Sequence, residues 1–439
     1  MKELKGKDLL LVGITLFAMF FGAGNLIFPP FLGAQAGTAT WIAMAGFAMT
    51  AIGFPILGVI AIARAGGMRN LSGRVSPGFS AVFTMLIYLS IGPCLAIPRT
   101  ASTSFGMAVT PFVGPDANIA LFQLLYSIVF FAIALAIALR PEKLTERLGR
   151  ILCPTLIVLI VVVFVACIVN PVGSYGPVMG NYVAHPAVQG FLDGYLTMDT
   201  IAALNFGAVI ALNVRARGVT EDKYVVKGII KAGWIAGAIF LVIYSMLAHI
   251  GALSGGAFPG AADGTGSLTN IVSALFGPVG AIILAGIFVI ACLNTCIGLI
   301  SCVSEYFHSI LPKISYRAFA IFFAAVSMVV SNAGLAQILK VSVPVLNAIY
   351  PPAIVLILLS CFQRWIGDMR YVYPVAIGFT SVASVLYAVV GVINSEALTK
   401  AFNIMPLASL QLGWVIPAAV GVILGILLSK CVKPKELTA

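Results

Sequence analysis

The sequence predicts an all-α polytopic membrane protein with about twelve transmembrane helices. Of its 439 residues, 61% are hydrophobic and only 9% are charged, whereas soluble domains have about 45–50% apolar and about 25% charged residues. Apolar stretches of about 18 residues or more recur along the chain, where a β-barrel would show alternating segments of about 10. These observations exclude a cytosolic enzyme, a secreted disulfide scaffold and a disordered adaptor. The polar connections are too short to fold alone, so we expect one membrane domain over 1–439.

Each predicted span is long enough to cross about 30 Å of hydrocarbon at about 1.5 Å per residue. The first span follows Lys2, Lys5 and Lys7, but its apolar run is longer than the roughly 7–15 residues of a signal peptide, so we expect a retained helix. The predicted spans are 8–35, 39–63, 78–105, 118–139, 151–169, 190–213, 227–253, 273–307, 317–332, 335–362, 371–393 and 407–430.

The placement of the basic residues predicts the orientation. If the N-terminus lies inside, all 25 Lys and Arg except Arg99, Lys340 and Lys400 fall near cytoplasmic span ends. Because cytoplasmic loops are enriched in Lys and Arg, both termini are expected in the cytoplasm. The net charge of +11 is thus a topology signal, and without a basic stripe interleaved with aromatics it predicts no nucleic-acid partner.

Cofactor and enzyme chemistry are not indicated by the motifs. The eight cysteines lie mostly inside apolar runs, no CxxC pair occurs, and His185, His249 and His308 are far apart. The phosphate-binding pattern GxxxxGK[ST] is absent. A channel is disfavoured because no filter repeat is visible, and an enzyme because no His/Asp/Glu cluster or activated nucleophile appears. We therefore expect no cofactor, no enzymatic activity and no obligate protein partner.

The first predicted interruption lies in span 1. Gly22 and Gly24 lower the local helix preference, and Asn25 can hydrogen-bond to backbone groups. Pro29 would fit the first turn of a restarted half-helix, where its missing N–H has no partner anyway. Freed backbone groups cannot face lipid, so a break here must line protein or water. The alternative is close helix packing through small residues.

The second predicted interruption lies in span 6 and contains Asp199, the one acid well inside a span. An intramembrane acid is costly and is by default a functional candidate; a structural ion pair is the alternative. Broken segments at corresponding places in two halves indicate an inverted-repeat transporter with its site at the midplane. The predicted repeats are 8–169 (helices 1–5) and 190–362 (helices 6–10), followed by 371–430 (helices 11–12).

Four segments resemble one family. Leu16–Pro29, which reads LFAMFFGAGNLIFP, resembles the first-helix signature of the bacterial branched-chain amino acid:cation symporters of BrnQ type. Gly194–Gly207, Ile97–Thr100 and Pro344–Leu346 support the likeness, which covers essentially the whole chain. It implies a LeuT-type 5+5 inverted repeat with discontinuous helices 1 and 6. It also implies sodium-driven import of Leu, Ile and Val across the bacterial cytoplasmic membrane by alternating access; a cation-coupled transporter of another small solute is the alternative.

The resemblance implies a substrate site between the two breaks. The N–H groups at Gly22–Gly24 would face a substrate carboxylate. Asp199 would contact an ammonium group or a cation, or else orient Asn25 and Thr197. An apolar pocket for the side chain would include Tyr88. The full implied substrate set is Gly22, Ala23, Gly24, Asn25, Tyr88, Thr197, Met198, Asp199 and Ile201.

A sodium site beside span 8 is also implied by the resemblance. Oxygens of Asn294 and Thr295 would join the backbone carbonyls of Ala18 and Phe21, because hard cations need several oxygen ligands. Hydrogen bonding between helices is the alternative for Asn294 and Thr295.

A second sodium site stays open. Its ligands would be Phe20, Asn25 and Thr197. Span 7 contains no Asn, the residue that such a site takes from helix 7, and offers Ser245, His249 and similar groups instead.

Arg99 is a gate candidate near the predicted outer end of span 3. It would pair with an acid or contact the arriving carboxylate. The alternative is that its long side chain reaches the lipid headgroups.

Overall fold

The computed structural model describes residues 3–114, 116–139, 141–367, 369–393 and 406–431. Throughout these ranges the secondary structure is helical, with no strand, which confirms the predicted class. Lys400 and the last predicted basic positions, Lys433 and Lys435, lie outside the described residues. The helices are α1 Gly6–Phe20, α2 Ala23–Ala36, α3 Thr40–Ala48, α4 Phe54–Ala65, α5 Met68–Gly73, α6 Pro77–Leu89, α7 Ala96–Ala108, α8 Ile119–Ala138, α9 Pro141–Val169, α10 Pro186–Asp193, α11 Asp199–Ala216, α12 Asp222–Ala257, α13 Gly264–Ile310, α14 Tyr316–Ser331, α15 Leu335–Cys361, α16 Gln363–Ile366, α17 Val372–Ile393 and α18 Val415–Cys431.

Every predicted span coincides with a helix or with a pair of helical pieces. Within the described ranges, seven continuous helical stretches are long and apolar enough to cross a membrane, and one of them, Ala23–Ala65, covers parts of two predicted spans. Three shorter apolar helices, Pro154–Val169, Tyr316–Ser331 and Val415–Cys431, match further spans. Span 3 carries an unpredicted interruption, a π-helical segment Ser90–Cys94 between α6 and α7.

Helix α2 forms the centre of the bundle, since twelve of its 14 residues are buried. It packs closely against α12 through glycines on both helices. A Cβ atom built on Gly251 would lie 1.9 Å from the Pro30 carbonyl oxygen, and one on Gly33 would lie 2.0 Å from the Ala248 carbonyl oxygen. Small residues let membrane helices approach backbone to backbone, so α12 can hold α2 firmly.

The prediction that Pro29 sits in the first turn of a restarted helix is wrong. Helix α2 restarts at Ala23, directly after Gly22 takes an extended conformation (φ −130°, ψ −165°), and both Pro29 and Pro30 lie inside it. These prolines cannot donate to the carbonyls four residues earlier, those of Asn25 and Leu26. The middle of α2 therefore carries carbonyl oxygens without their usual helical donors, next to the break.

Hydroxyl groups satisfy two other carbonyls that prolines leave without a donor. Pro352 cannot donate to Ala348, and the Ser384 hydroxyl donates to that carbonyl instead, at 2.9 Å. In the π-helical turn Met49–Gly53, the Thr50 carbonyl would need the missing N–H of Pro55, and the Thr200 hydroxyl donates to it at 2.9 Å. Such substitution is how interrupted membrane helices stay satisfied, and the second bond fixes the start of α11.

Candidate functional site

Both predicted breaks are present. Helix α1 ends at Phe20 and α2 begins at Ala23. Helix α10 ends at Asp193, a 3₁₀ turn follows over Gly194–Thr197, and Met198 adopts a left-handed conformation (φ 66°, ψ 9°) before α11 begins. A non-glycine residue in this region is strained by roughly 1–2 kcal/mol, so tertiary contacts must hold the turn.

A cavity of about 540 Å³ lies between the breaks and is lined by α1, α2, α7, α11 and α13. From the breaks it extends along α1 to Leu11 and along α11 to Asn213 and Arg217. Its size suits a small organic molecule, since such sites measure about 300–1,000 Å³. The predicted site residues that line it are Ala18, Phe20, Gly22, Ala23, Gly24, Asn25, Arg99, Thr197, Met198, Asp199, Asn294 and Thr295.

Asp199 belongs to a three-residue network that joins both breaks to α12. Asn25 Nδ2 donates to Asp199 Oδ2 at 2.6 Å and to Tyr244 Oη at 2.6 Å. The Tyr244 hydroxyl donates to the same Asp199 oxygen at 3.4 Å. All three side chains are buried. The acid is thus stabilised by neutral donors, and the network fixes α2, α11 and α12 relative to one another.

Arg99 lies deep in the protein, which argues against the alternative that its side chain reaches the headgroups and leaves the gate candidate as a prediction. It is only 4% exposed, its Nη1 donates to the Leu196 carbonyl at 2.6 Å, and its guanidinium carbon lies 5.3 Å from the centre of the Phe28 ring. A Cβ built on Gly24 would lie 2.8 Å from Arg99 Nη2. The guanidinium therefore lies between the two breaks, beside the first N–H groups of α2.

Thr295 of α13 lies against the first break, and its neighbour Asn294 lines the same cavity. The Thr295 hydroxyl donates to the Ala291 carbonyl at 3.2 Å, and a Cβ built on Gly22 would lie 2.9 Å from Thr295 Oγ1. Among the described residues, Asn294 Oδ1 has no hydrogen-bond partner although it is buried. Such an oxygen is costly unless a ligand completes it.

Three predicted site residues are absent from the residues that line this cavity. The Tyr88 ring stacks on Tyr306 with 3.7 Å between ring centroids. Ile201 is fully buried in the core. Phe21 was named only for its backbone carbonyl, and its ring packs on Phe17 and Phe240. Met198, at the left-handed turn, and not Ile201 one turn later, faces the cavity.

Tyr244 was not predicted as a site residue. Ser245 and His249 were the groups named on span 7, but His249 Nδ1 is hydrogen-bonded to Tyr175 Oη at 2.7 Å, whereas Tyr244 reaches Asn25. A tyrosine hydroxyl in the middle of an apolar span needs a partner, and this signal could have identified it.

The start of α1 is tied to the same helix, α12. Leu4 is buried, and its Cβ lies 3.4 Å from where a Cβ on Gly228 would be. Glu3 Oε1 accepts from Lys227 Nζ at 2.7 Å, and this ammonium holds the pKa of the Glu3 carboxyl below its usual value. The pair is exposed, so we expect it to add little stability.

The polar groups that line the cavity beside the two breaks suit a zwitterion. The first N–H groups of α2 lack helical acceptors and carry a partial positive charge, and Arg99 adds a full one nearby. The Asp199 carboxylate and the Asn25 and Asn294 carbonyl oxygens offer acceptors on the other side. Among the described residues no group of three or more His, Cys, Asp or Glu could hold a metal ion.

Sequence comparisons point to one family. A model of the family described as branched-chain amino acid transport protein matches residues 5–432. The branched-chain amino acid transport system 2 carrier protein of Pseudomonas aeruginosa is 40% identical over the whole of both chains. The branched-chain amino acid permease BrnQ of Escherichia coli K12 is 38% identical across 97% of this chain and 96% of its own.

Structural comparisons establish the fold. The inward-facing conformation of Mhp1 matches with a TM-score of 0.62 and 14% identity, over 95% of this chain and 90% of that one. MhsT in complex with L-phenylalanine matches with a TM-score of 0.59 and 16% identity, over 98% and 100%. At such identities the likeness concerns the fold alone. The fold is the LeuT type, with 5+5 inverted repeats and discontinuous helices 1 and 6.

Proposed function

The chain belongs to the branched-chain amino acid transport protein family, and on this premise we propose that it is a secondary active symporter. It is a multi-pass bacterial membrane protein and a transporter, not an enzyme. The proposed activity is import of leucine, isoleucine and valine driven by a sodium gradient. The observation that carries it is the cavity between two broken helices, with Arg99 and Asp199 among the residues that line it.

The substrate's charged groups would bind at the breaks. Its carboxylate would accept hydrogen bonds from the N–H groups of Ala23 and Gly24, with the Arg99 guanidinium beside them. Helix N-termini bind anions without basic side chains, and the Arg99 charge strengthens this subsite. The ammonium group would lie toward Asp199 and Asn25, since carboxylate and amide oxygens accept from ammonium.

The substrate's side chain would face an apolar wall. Ile91, Ala96, Met198, Ala202 and Phe206 line the same cavity. An apolar pocket separates substrates that differ by one methylene by only about 1–3 kcal/mol. We therefore expect leucine, isoleucine and valine to be accepted together.

Sodium coupling is proposed from the oxygens around the first break. Ala18, Asn294 and Thr295 line the cavity, and Thr295 contacts Gly22 closely. A site built from unwound backbone and a polar helix supplies the several oxygens that a hard cation needs. The unpartnered Asn294 Oδ1 supports this assignment.

The direction in which the cavity opens follows from the residues that line it away from the breaks. It extends along α1 toward the N-terminus and along α11 to Arg217, the end that the distribution of basic residues predicts to be cytoplasmic. We propose that this conformation faces inward, with both termini in the cytoplasm of the cell and the protein in its inner membrane. Alternating access would then close this end and open the other.

Uptake by proteoliposomes tests the proposal. Purified protein is reconstituted, and radiolabelled leucine uptake is compared under inward gradients of sodium, lithium and protons, with empty liposomes as the control. Concentrative uptake that requires sodium and is inhibited by unlabelled isoleucine and valine is expected. Uptake driven by a proton gradient alone would show that the coupling ion is the proton and not sodium. Absence of leucine uptake under every gradient would refute leucine as the substrate.

A further inference from the structure

Tyr244 is fully buried within α12 and is hydrogen-bonded both to Asn25 beside the first break and to Asp199 beside the second. We infer that Tyr244 is a positioning residue: it holds the Asn25 amide so that Oδ1 faces the cavity and accepts a cationic group. This inference deepens the proposed function and rests on it. The cationic group is the substrate's ammonium or the coupling cation, because both are bound by the same kind of oxygen.

The hydrogen atoms of the Asn25 amide are fully used. A primary amide has two N–H hydrogens and one carbonyl oxygen. Nδ2 donates to Asp199 Oδ2 and to Tyr244 Oη, both at 2.6 Å. Asn25 nevertheless lines the cavity. Oδ1 is thus the atom of this amide left for a ligand, and it can only accept.

The two partners fix the orientation of the amide jointly. An ionised carboxylate is purely an acceptor, and the Tyr244 hydroxyl directs its own hydrogen to Asp199 Oδ2. Tyr244 Oη can therefore only accept from Asn25. A flipped amide would place Oδ1 against the ionised Asp199 carboxylate, which has no hydrogen to offer, and the Tyr244 hydroxyl would have to turn its hydrogen away from Asp199 to meet it. Nδ2 would then face the cavity and repel a cation.

The tyrosine ring is itself held in place by aromatic neighbours. Its centroid lies 5.5 Å from that of Phe47 in an edge-to-face arrangement and 5.2 Å from that of Phe240. The hydroxyl is thus a rigid reference point, since aromatic packing of this kind fixes the ring. Removing only the hydroxyl takes away one of the two acceptors of the Asn25 amide without removing the packing.

Tyr244→Phe tests the inference, with Tyr350→Phe as its matched control. Both tyrosines are fully buried, but the Tyr350 hydroxyl lies outside the network. We expect Tyr244→Phe to insert normally and to weaken the binding of the cationic group about three- to tenfold, the effect of one net hydrogen bond. Tyr350→Phe should bind like the parent. Equal affinities for the parent and Tyr244→Phe would overturn the inference.

Two arms identify the cationic group. In the first, leucine and 4-methylpentanoate, which lacks the amino group, compete with radiolabelled leucine in detergent. If Oδ1 binds the ammonium, Tyr244→Phe weakens leucine alone. In the second, sodium is titrated and the rise in melting temperature is measured; if Oδ1 binds the cation, the half-saturating sodium concentration increases. A parent that binds no leucine would refute the proposed function, while the sodium arm would still test Tyr244.

A double-mutant cycle separates positioning from a merely structural role. If Tyr244 acts through Asn25, adding Tyr244→Phe to Asn25→Ala should change the affinity no further. If the two losses add, Tyr244 does not act through this amide, and the inference is refuted. The cycle uses the same binding readout, so no transport step enters the result.

Discussion

Replacing Asp199 by Asn is the substitution with the clearest expected effect on transport. It keeps the shape and one oxygen and removes the negative charge. In the structure that carboxylate accepts from Asn25 at 2.6 Å and from Tyr244 at 3.4 Å, inside a network that is buried throughout. The substitution should leave folding intact, because an amide oxygen can still accept both hydrogen bonds.

The magnitude follows from the charge. A hydrogen bond to a charged group contributes about 1.5–3 kcal/mol, against about 0.5–1.5 kcal/mol for a neutral one. Losing charge assistance toward the ligand's cationic group by about 1.4 kcal/mol is a factor of ten in affinity. We therefore expect Asp199→Asn to lower kcat/KM for sodium-driven leucine uptake tenfold or more.

Initial rates of leucine uptake in proteoliposomes measure this effect. Matched protein amounts and an unchanged size-exclusion profile show correct insertion and folding. Asp222→Asn serves as the control, because Asp222 is an exposed acid whose side chain is 87% accessible. Normal uptake by correctly inserted Asp199→Asn would show that this acid is not part of the transport site and would refute its proposed contact with a cationic group.

Three further substitutions address the surroundings of the network. Arg99→Lys should raise the KM for leucine about tenfold, because a single ammonium group cannot replace the planar guanidinium, which donates to the Leu196 carbonyl beside α2. An unchanged KM would exclude a specific role for the guanidinium group. Gly251→Ala, whose Cβ would lie 1.9 Å from the Pro30 carbonyl oxygen, should destabilise the protein by about 1–3 kcal/mol in thermal melts. Gly286→Ala, with nothing within 4 Å of its Cβ, is the control, and equal melting temperatures would contradict the close packing. Thr295→Val should raise the sodium concentration for half-maximal uptake about tenfold while uptake at saturating sodium persists; an unchanged sodium dependence would remove Thr295 from the cation site.

The helical spans and both breaks could be predicted because their causes are local. The length of an apolar run identifies a transmembrane span, and glycines or a single acid inside the run indicate where the helix is interrupted. The residue at which α2 begins could not be predicted from Pro29, although the backbone geometry of a proline suits the first turn of a helix. In a packed membrane bundle, proline is tolerated inside a helix where neighbouring groups supply the missing bond, as Ser384 does for Ala348.

The faces of the helices could not be predicted, because packing between helices sets them. Tyr88 and Ile201 are apolar enough for a substrate pocket, yet the first stacks on Tyr306 and the second lies in the core. The depth of Arg99 was left open by the sequence for a similar reason. Helix α7 continues to Ala108, so Arg99 lies roughly 13 Å from its end at about 1.5 Å per residue, and its side chain is buried against Leu196 and Phe28.

The two buried charges of the site are held apart by neutral partners. Within the described ranges, the ion pairs closer than 4 Å do not include Arg99 with Asp199. Arg99 is stabilised by the Leu196 carbonyl and the face of Phe28, and Asp199 by Asn25 and the Tyr244 hydroxyl. In a direct ion pair, a substrate that drew one charge away would leave the other buried without compensation, and loss of one partner of a buried pair costs about 3–5 kcal/mol. Because each charge is already satisfied by dipoles, a zwitterion can add to both without that cost, and it can leave without stranding either charge.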